Sequence, residues 1–286
     1  MKIQEVFING AKPLPRMWKN VLVAWFVMLL LLIAAMNPLM QGLRTGFDSS
    51  LITEKLKNGI FPEAFTDMGS LYSGVIRGFG SSILLLALIT FILNAFFSGG
   101  FFDAARKDAG ECTVKEFMRG CVRNFWSFML ILLFSVIMIL FIALLITVVP
   151  NLFINMDGDH VEKTIFRTEL TAICILIVLL PVLLLVSDYS RAWKTGNPER
   201  GTFEAIANGF RLTFGKLTAS WIVVFIILVV NSLFLWLTSR VLTSFVPQTG
   251  WGVFLFFLIS QALFILKFFL RVYRYSCVTA LLEQRE

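Results

Sequence analysis

Arginines and aspartates recur where apolar segments end, and their spacing could support ion pairing or the binding of an anion. Asp103 and Arg106 are three residues apart, as are Asp188 and Arg191, so each pair would share one helical face. Two further arginines follow the last apolar segment without such an acid. A guanidinium can donate two parallel hydrogen bonds to a phosphate, whereas snorkelling and topology anchoring are the ordinary alternative. The candidate contacts for lipid head groups or other anions are Arg106, Arg191, Arg271 and Arg274.

Groups that could perform catalysis or bind a metal are few. The single histidine, His160, lies in the acidic segment 155–162, which invites comparison with a calcium-binding loop. His160 occupies the position where that loop requires glycine, and the closing glutamate is missing. The sequence has no zinc-protease helix motif, no nucleophile elbow and no glycine loop that would hold a phosphate. We therefore predict no catalytic residue, no metal and no cofactor, and we expect the protein not to be an enzyme.

Three amide side chains lie within apolar segments: Asn94, Asn231 and Gln261. Amides in hydrocarbon must find partners, and they usually do so across helix interfaces. They could also line a polar path through a membrane. No carboxylate or histidine accompanies them inside these segments, which argues against proton- or ion-coupled transport. We treat them as candidate intramembrane polar contacts, with helix packing as the first interpretation and a transport path as the alternative.

The elements that must position these residues are long apolar helices. Hydrophobic residues make up 58% of the chain and the mean hydropathy is +0.83. Six stretches without charge are long enough to cross a bilayer, which takes about 20 residues of helix. They are apolar on all sides, which excludes the alternating strands of a membrane barrel. We predict an all-α polytopic membrane protein with transmembrane helices at approximately 20–41, 79–99, 126–148, 170–187, 218–239 and 251–270.

The basic residues indicate an orientation for these helices. The N-terminal flank, the loops at 103–123 and 188–216 and the tail from Lys267 carry 18 lysines and arginines, against 7 in the other loops. Basic residues are retained on the cytoplasmic side, so we expect both termini there, in a multi-pass protein of the cell membrane. Because the positive charges are dispersed beside membrane segments, the predicted partners are anionic lipid head groups at the cytoplasmic face rather than nucleic acid.

A repeated unit organises the chain as one integral membrane domain. Three repeats are predicted at approximately 1–107, 108–195 and 196–286. Each contains an amphipathic stretch, an apolar hairpin and an exit segment, the exit segments being 102–106, 187–191 and 270–274. A shift of 89 residues matches Thr113 with Thr202, Gly120 with Gly209 and Phe125 with Phe214. The N-terminal stretch carries a comparable glycine, Gly10, within Asn9-Gly10-Ala11-Lys12.

The amphipathic stretches have apolar residues at helical spacing. We expect them to lie along the cytoplasmic interface before they turn into the membrane, whereas packing on one another as a small cytoplasmic cap is the alternative. The long loop from Arg44 to Arg77 is expected to form one or two short helices. These helices would serve as a connector folded over the bundle or as a lid over a cavity.

Several short motifs support a family resemblance. They are Ser98-Gly99-Gly100 after the second segment, Pro181 followed by Asp188 in the fourth, Phe210-Arg211-Leu212-Thr213-Phe214 before the fifth and Phe269-Leu270-Arg271-Val272-Tyr273 ending the sixth. With these motifs the chain resembles the YciC-type six-helix bacterial inner-membrane proteins. It is also similar to the membrane domain attached to some glycerophosphodiester phosphodiesterases. The resemblance implies the bacterial inner membrane and a link to envelope lipids. It supplies no catalytic residue, and we do not expect phosphodiesterase activity, because the 286 residues contain no such domain.

The sequence thus predicts a non-enzymatic integral membrane protein of the cell envelope that binds or organises lipids or partner proteins. A transporter or permease component for a hydrophobic or phosphate-bearing substrate is the alternative. A continuous polar cavity around Asn231 and Gln261 would favour the transporter, and converging ionisable groups would favour an enzyme. The ligand, the protein partners and the oligomeric state are not specified by the sequence.

Overall fold

The structure, a computed structural model, contains helices and no strands over the residues that it describes. Those residues are 3–47, 70–107, 113–152, 161–215, 217–244, 247 and 249–283. Its helices are α1 (Ile3–Ala11), a 3-10 helix (Leu14–Arg16), α2 (Trp18–Phe47), α3 (Ser70–Arg106), α4 (Val114–Leu152), α5 (Val161–Gly196), α6 (Thr202–Gly215), α7 (Leu217–Ser244) and α8 (Gly250–Glu283). His160 and most of the long loop after Arg44 lie outside the described residues.

Six of these helices are long and apolar enough to cross a membrane, which confirms the predicted all-α class and the predicted number of spans. The qualifying segments of the described chain are Trp18–Asn37, Ser82–Arg106, Val114–Pro150, Ile165–Gly196, Ser220–Ser244 and Gly250–Glu283. The helices extend beyond the predicted spans. For example, α5 continues through Asp188 and Arg191 to Gly196, because a charged residue ends the apolar run but does not end the helix.

The chain forms two compact units. The larger unit contains Met1–Leu22 and Ala95–Glu286, and the smaller one contains Val23–Asn94. The smaller unit consists of most of α2 and the first part of α3. The larger unit contains all three exit segments, and it is the unit in which the candidate arginines lie.

The second amphipathic stretch does not turn before it enters the apolar segment. α4 runs without a break from Val114 to Leu152, so the expected turn is absent there. The helix continues because residues 121–149 contain no glycine or proline that would interrupt it. The third stretch forms a separate helix, α6, which ends at Gly215 shortly before α7 begins at Leu217.

α6 folds back along α5. Lys194 at the end of α5 donates a hydrogen bond to the carbonyl of Pro198, at 2.9 Å, and another to that of Arg200, which fixes the turn between the two helices. Thr202 donates to Ser127 on α4 at 3.1 Å. The buried face of α6 therefore packs against the protein, and its members are Ala205, Ile206, Gly209 and Thr213. Phe203 on the same helix is 78% exposed.

The glycine of each amphipathic stretch lies where two helices approach most closely. A Cβ added at Gly120 would lie 2.8 Å from a carboxylate oxygen of Asp103 on α3. A Cβ added at Gly209 would lie 2.7 Å from the carbonyl oxygen of Val186 on α5. A Cβ added at Gly10 would lie 3.0 Å from the Cα of Cys277 on α8. At Gly10 and Gly209 the neighbouring atoms include backbone, so a side chain there would force the two helices apart.

The exit segments of α3, α5 and α8 converge at one end of the larger unit, which we call the exit end. The rings of Phe102 on α3 and Tyr275 on α8 stack with centroids 4.6 Å apart. Phe128 on α4 meets Phe102 edge to face at 5.9 Å. Phe102, Phe128, Tyr189 and Tyr275 are all buried, so aromatic packing forms the core of this end.

Candidate functional site at the exit end

Two arginines and one aspartate form a buried charge cluster between α5 and α8. Arg274 Nε lies 3.0 Å from Asp188 Oδ2, and Arg191 Nη1 lies 3.7 Å from Asp188 Oδ1. We call these three residues the Asp188 cluster. The side chains of Asp188 and Arg191 are 1% and 4% exposed. Neither contact has the geometry of a hydrogen bond, so the attraction between these groups is chiefly Coulombic.

Aromatic rings flank the guanidinium groups of the Asp188 cluster. Arg191 Cζ lies 5.9 Å from the ring centre of Phe128, and Arg274 Cζ lies 5.3 Å from that of Tyr275. A cation over an aromatic face is attracted by the ring quadrupole, more strongly when it is desolvated. Arg271 is half-buried and close enough for its charge to act on Arg191. Together these contacts hold the exits of α5 and α8 against each other and against α4.

The expected pair between Asp103 and Arg106 is not formed. Asp103 pairs instead with Arg123 on α4 and with Lys107, whose Nζ lies 3.3 Å from Oδ2. The spacing of three residues permitted the predicted pair, but α4 brings Arg123 to the same carboxylate and satisfies it from outside the helix. By contrast, the predicted contact between Asp188 and Arg191 is present.

Arg106 lines a polar cavity rather than joining the other candidate arginines. Its guanidinium rests on Gly196 at the end of α5, where an added Cβ would lie 2.6 Å from Cζ. The cavity measures about 420 Å³ and lies between α1, the 3-10 helix and the ends of α3 and α8. We call it the exit pocket. Its lining residues are Asn9, Lys12, Pro13, Arg16, Ala105, Arg106, Lys107, Ser276, Ala280 and Glu283.

The structure therefore divides the four candidate arginines between two places. Arg191 and Arg274 belong to the Asp188 cluster, Arg271 lies beside it, and Arg106 lines the exit pocket. The near-complete burial of Arg191 gives it a packing role and leaves little of its side chain to meet a head group.

The exit pocket also contains residues that sequence reasoning did not assign to a site. Lys12 and Arg16 come from the N-terminal stretch, and Ser276 and Glu283 come from the end of α8. Tyr273 donates a hydrogen bond to the carbonyl of Phe7 at 3.3 Å, and the rings of the two residues stack, so α1 is fastened to α8. The signal that could have indicated this contact is the glycine of the N-terminal stretch, which marks a close helix approach.

The three intramembrane amides lie on three different helices. Asn94 belongs to the smaller unit, whereas Asn231 lies on α7 and Gln261 on α8 in the larger unit, each half-buried. The exit pocket is lined by none of them. A second cavity in the described chain, of about 380 Å³ between α4 and α5, is lined by Ile146, Pro150, Arg167, Thr168, Thr171, Ala172 and Ile175. It does not include Asn231 or Gln261 either.

An exposed band of aromatic and basic side chains surrounds part of the exit end. On α4, Val122 is 67% and Trp126 75% exposed, and Phe203 on α6 is 78% exposed. Lys115 and Arg119, also exposed, precede Val122 and Trp126 on α4. The hydrogen bond between Thr202 and Ser127 places their neighbours Phe203 and Trp126 at one level. We call these five side chains the exit collar: Lys115, Arg119, Val122, Trp126 and Phe203.

Six long apolar helices define the class of this molecule as a multi-pass integral membrane protein. No metal-binding group of three or more histidine, cysteine, aspartate or glutamate side chains occurs in the described part of the chain. Comparison with known proteins adds no assignment, because no family model, no curated protein and no solved structure matches this sequence.

Proposed function

We propose that this chain is a non-enzymatic membrane protein of the cell envelope that binds and organises anionic lipids at its exit end. The exit collar is the observation that carries this proposal. Trp126 and Phe203 are large, exposed aromatic side chains at one level, beside exposed cations. Aromatic rings favour the level of the lipid head groups, and basic residues next to them attract anionic lipids.

A lipid surface fits the exit collar because the collar is continuous with the apolar surface of α4. Beyond Trp126, α4 continues with exposed Leu130, Leu133 and Ile137, in a helix that is apolar enough to span a bilayer. Lys115 and Arg119 extend from the other side of the aromatic residues, where the head groups would lie. The orientation inferred from the basic residues would place this end in the cytoplasmic leaflet of a bacterial inner membrane.

The proposal is tested by removing two collar charges. The double substitution Lys115→Gln and Arg119→Gln removes two exposed cations that form no ion pair in the described chain. Each such charge contributes about 1 kcal/mol to attraction by an anionic membrane, so the preference for anionic lipid should fall by roughly 30-fold. The measurement is native mass spectrometry of protein extracted from bilayers of equal phosphatidylglycerol and phosphatidylcholine, in which the lipids retained by each variant are counted.

A matched control removes the same charge elsewhere. Lys163 and Arg240 are exposed residues near the ends of α5 and α7 that are distant from the exit end. The double substitution Lys163→Gln and Arg240→Gln should leave the phosphatidylglycerol preference unchanged. Equal losses in the two double variants would contradict the proposal, since they would indicate a response to net charge rather than binding at the exit collar.

A further inference from the structure

The exit pocket has an excess of positive charge. Its lining contains four basic side chains, Lys12, Arg16, Arg106 and Lys107, and one acidic side chain, Glu283. Lys107 is engaged with Asp103 at 3.3 Å. The other three cations form no ion pair within the described residues. Because Asp103 compensates the charge of Lys107, the remaining lining charges are three cations and the carboxylate of Glu283. The exit pocket therefore has a net charge of about +2 and is suited to an anion that carries about two negative charges.

Buried hydrogen-bond donors in the exit pocket have no partner. The Nε and Nη2 atoms of Arg106 are buried and form no hydrogen bond within the described chain. Ser276, which is 3% exposed, also has a buried hydroxyl without a partner. A serine in a helix commonly bonds to a carbonyl of the preceding turn, and Ser276 does not. An unsatisfied buried donor destabilises a protein by about 1–3 kcal/mol. A ligand with several acceptor atoms would supply the missing hydrogen bonds and remove this penalty.

The helices around the exit pocket are fastened to one another. The Arg106 guanidinium packs against Gly196 at the end of α5. Opposite, α1 is fastened to α8 by the packing of Gly10 on Cys277 and by the bond from Tyr273 to Phe7. The helices that carry Lys12 and Ser276 are therefore joined before any ligand arrives, which lowers the cost of binding. The volume, about 420 Å³, falls in the usual range for small-molecule sites.

A phosphomonoester matches this chemistry better than other common anions. It has about −1.5 to −2 charges at neutral pH and three strong acceptor oxygens. Arg106 can offer Nε and Nη2 in parallel, which is the geometry that a phosphate accepts in two bonds. A phosphodiester carries a single negative charge and would leave part of the positive charge of the exit pocket uncompensated. A carboxylate also carries a single charge, and it has two acceptor oxygens where a phosphomonoester has three.

We propose that the exit pocket is a binding site for a phosphomonoester, held by Arg106 and Ser276 with Lys12 and Arg16 as further cations. The phosphomonoester can belong to a lipid head group, as in phosphatidate, or to a soluble metabolite, as in glycerol 3-phosphate. This inference goes beyond the proposed binding of lipids at the exit collar, because the two sites share no residue.

The experiment measures phosphomonoester binding to the full chain in lipid nanodiscs. In one arm, nanodiscs of phosphatidylcholine contain either phosphatidate or phosphatidylglycerol, and retained lipid is counted by native mass spectrometry. In the other arm, soluble glycerol 3-phosphate is titrated by calorimetry into nanodiscs of phosphatidylcholine alone. Preferential retention of phosphatidate, or binding of glycerol 3-phosphate, supports the site and identifies the source of the phosphate. The proposal is overturned when glycerol 3-phosphate does not bind and phosphatidate is retained no better than phosphatidylglycerol.

Substitutions then locate the site. Arg106→Gln keeps a polar side chain of similar length but removes the charge and the parallel donors, so binding should weaken at least tenfold. Arg16→Gln, on an exposed residue of the 3-10 helix, should weaken binding in the same direction without disturbing the packed core. It therefore keeps the test decisive even when Arg106→Gln fails to fold.

The collar variant with Lys115→Gln and Arg119→Gln should bind the phosphomonoester as the unaltered protein does. If both pocket variants bind at full strength, the exit pocket is not the site. If the collar variant loses phosphatidylglycerol preference while pocket binding persists, the two proposals are separated, since each can fail alone.

Discussion

At the scale of single residues, Asp188 has the most demanding position. It is 1% exposed and lies against two guanidinium groups, with Arg271 also near enough to act on Arg191. Buried charges are expensive to remove from water, and their mutual attraction compensates only when each has a counter-ion. One carboxylate therefore supports the burial of two arginines from two different helices.

The substitution Asp188→Asn should destabilise the protein strongly. It leaves Arg191 and Arg274 buried without a counter-ion, and breaking a buried pair in this way typically costs about 3–5 kcal/mol. The measurement is unfolding in detergent, followed by circular dichroism as sodium dodecyl sulfate is added.

Glu204→Gln provides the comparison for Asp188→Asn. Glu204 pairs with Arg200 at 3.4 Å on the surface, where such a pair contributes about 0–1 kcal/mol. The two variants should therefore differ widely in the amount of dodecyl sulfate at which half the protein is unfolded. Similar midpoints would show that the Asp188 cluster is not a structural ion pair.

At the scale of helices, the glycines of the amphipathic stretches decide how closely neighbours approach. Gly120 packs on Asp103, Gly209 on Val186 and Ser190, and Gly10 on Cys277. In each case the partner belongs to a helix that carries one of the exit segments. The matching of Gly120 with Gly209 in the sequence thus coincides with a shared packing role, while the repeat boundaries themselves stay a prediction.

Gly209→Ala should destabilise the contact between α5 and α6. The added Cβ would lie 2.7 Å from the carbonyl oxygen of Val186, and backbone cannot shift as a flexible side chain can. Overpacking of this kind costs about 1–3 kcal/mol, which exceeds the gain of up to about 1 kcal/mol from the better helix propensity of alanine. The midpoint of unfolding in dodecyl sulfate should fall accordingly.

Gly215→Ala in the same helix is the matched control, because no atom lies within 4 Å of the added Cβ. It should be neutral or slightly stabilising. If Gly209→Ala behaves like Gly215→Ala, the close approach of α5 and α6 is not the reason for glycine at position 209.

The elements were more predictable from the sequence than the contacts between them. A long apolar run indicates a segment that lies in lipid, so the six spans could be derived from composition and length. Helix ends could not, because a charge ends an apolar run without ending the helix, as at Asp188. The partner of Arg274 could not be derived at all. Spacing along one helix contains no information about Asp188 on another, and the exit pocket draws its residues from three parts of the chain in the same way.

At the scale of the whole molecule, the basic residues indicate the orientation. The exit pocket and the exit collar lie at the end that also has the Asp188 cluster, and the segments next to them are rich in lysine and arginine. By the positive-inside rule this end would face the cytoplasm. Both proposed sites would then meet the inner leaflet and the soluble phosphates of the cytoplasm.

The orientation is tested with two cysteines introduced one at a time. Lys163→Cys lies at the start of α5 and Asn197→Cys just beyond its end. In a background where the native cysteines are replaced by alanine, a membrane-impermeant maleimide added to intact cells should label position 163 only. Position 197 should react only after the membrane is permeabilised. Labelling of both positions from the same side would contradict the topology.

The attachment of α1 to α8 has a consequence for the synthesis of the protein. The bond from Tyr273 to Phe7 joins residues that are 266 positions apart. At roughly 5–20 residues per second, the ribosome needs about 10–50 s to make that length of chain. α1 is therefore synthesised long before α8, and the intervening helices are inserted before the two can pack together. Because Lys12 and Arg16 face Ser276 and Glu283 across the exit pocket, a chain interrupted before α8 would have a collar but no pocket. Occupancy of the pocket would then distinguish finished molecules from unfinished ones.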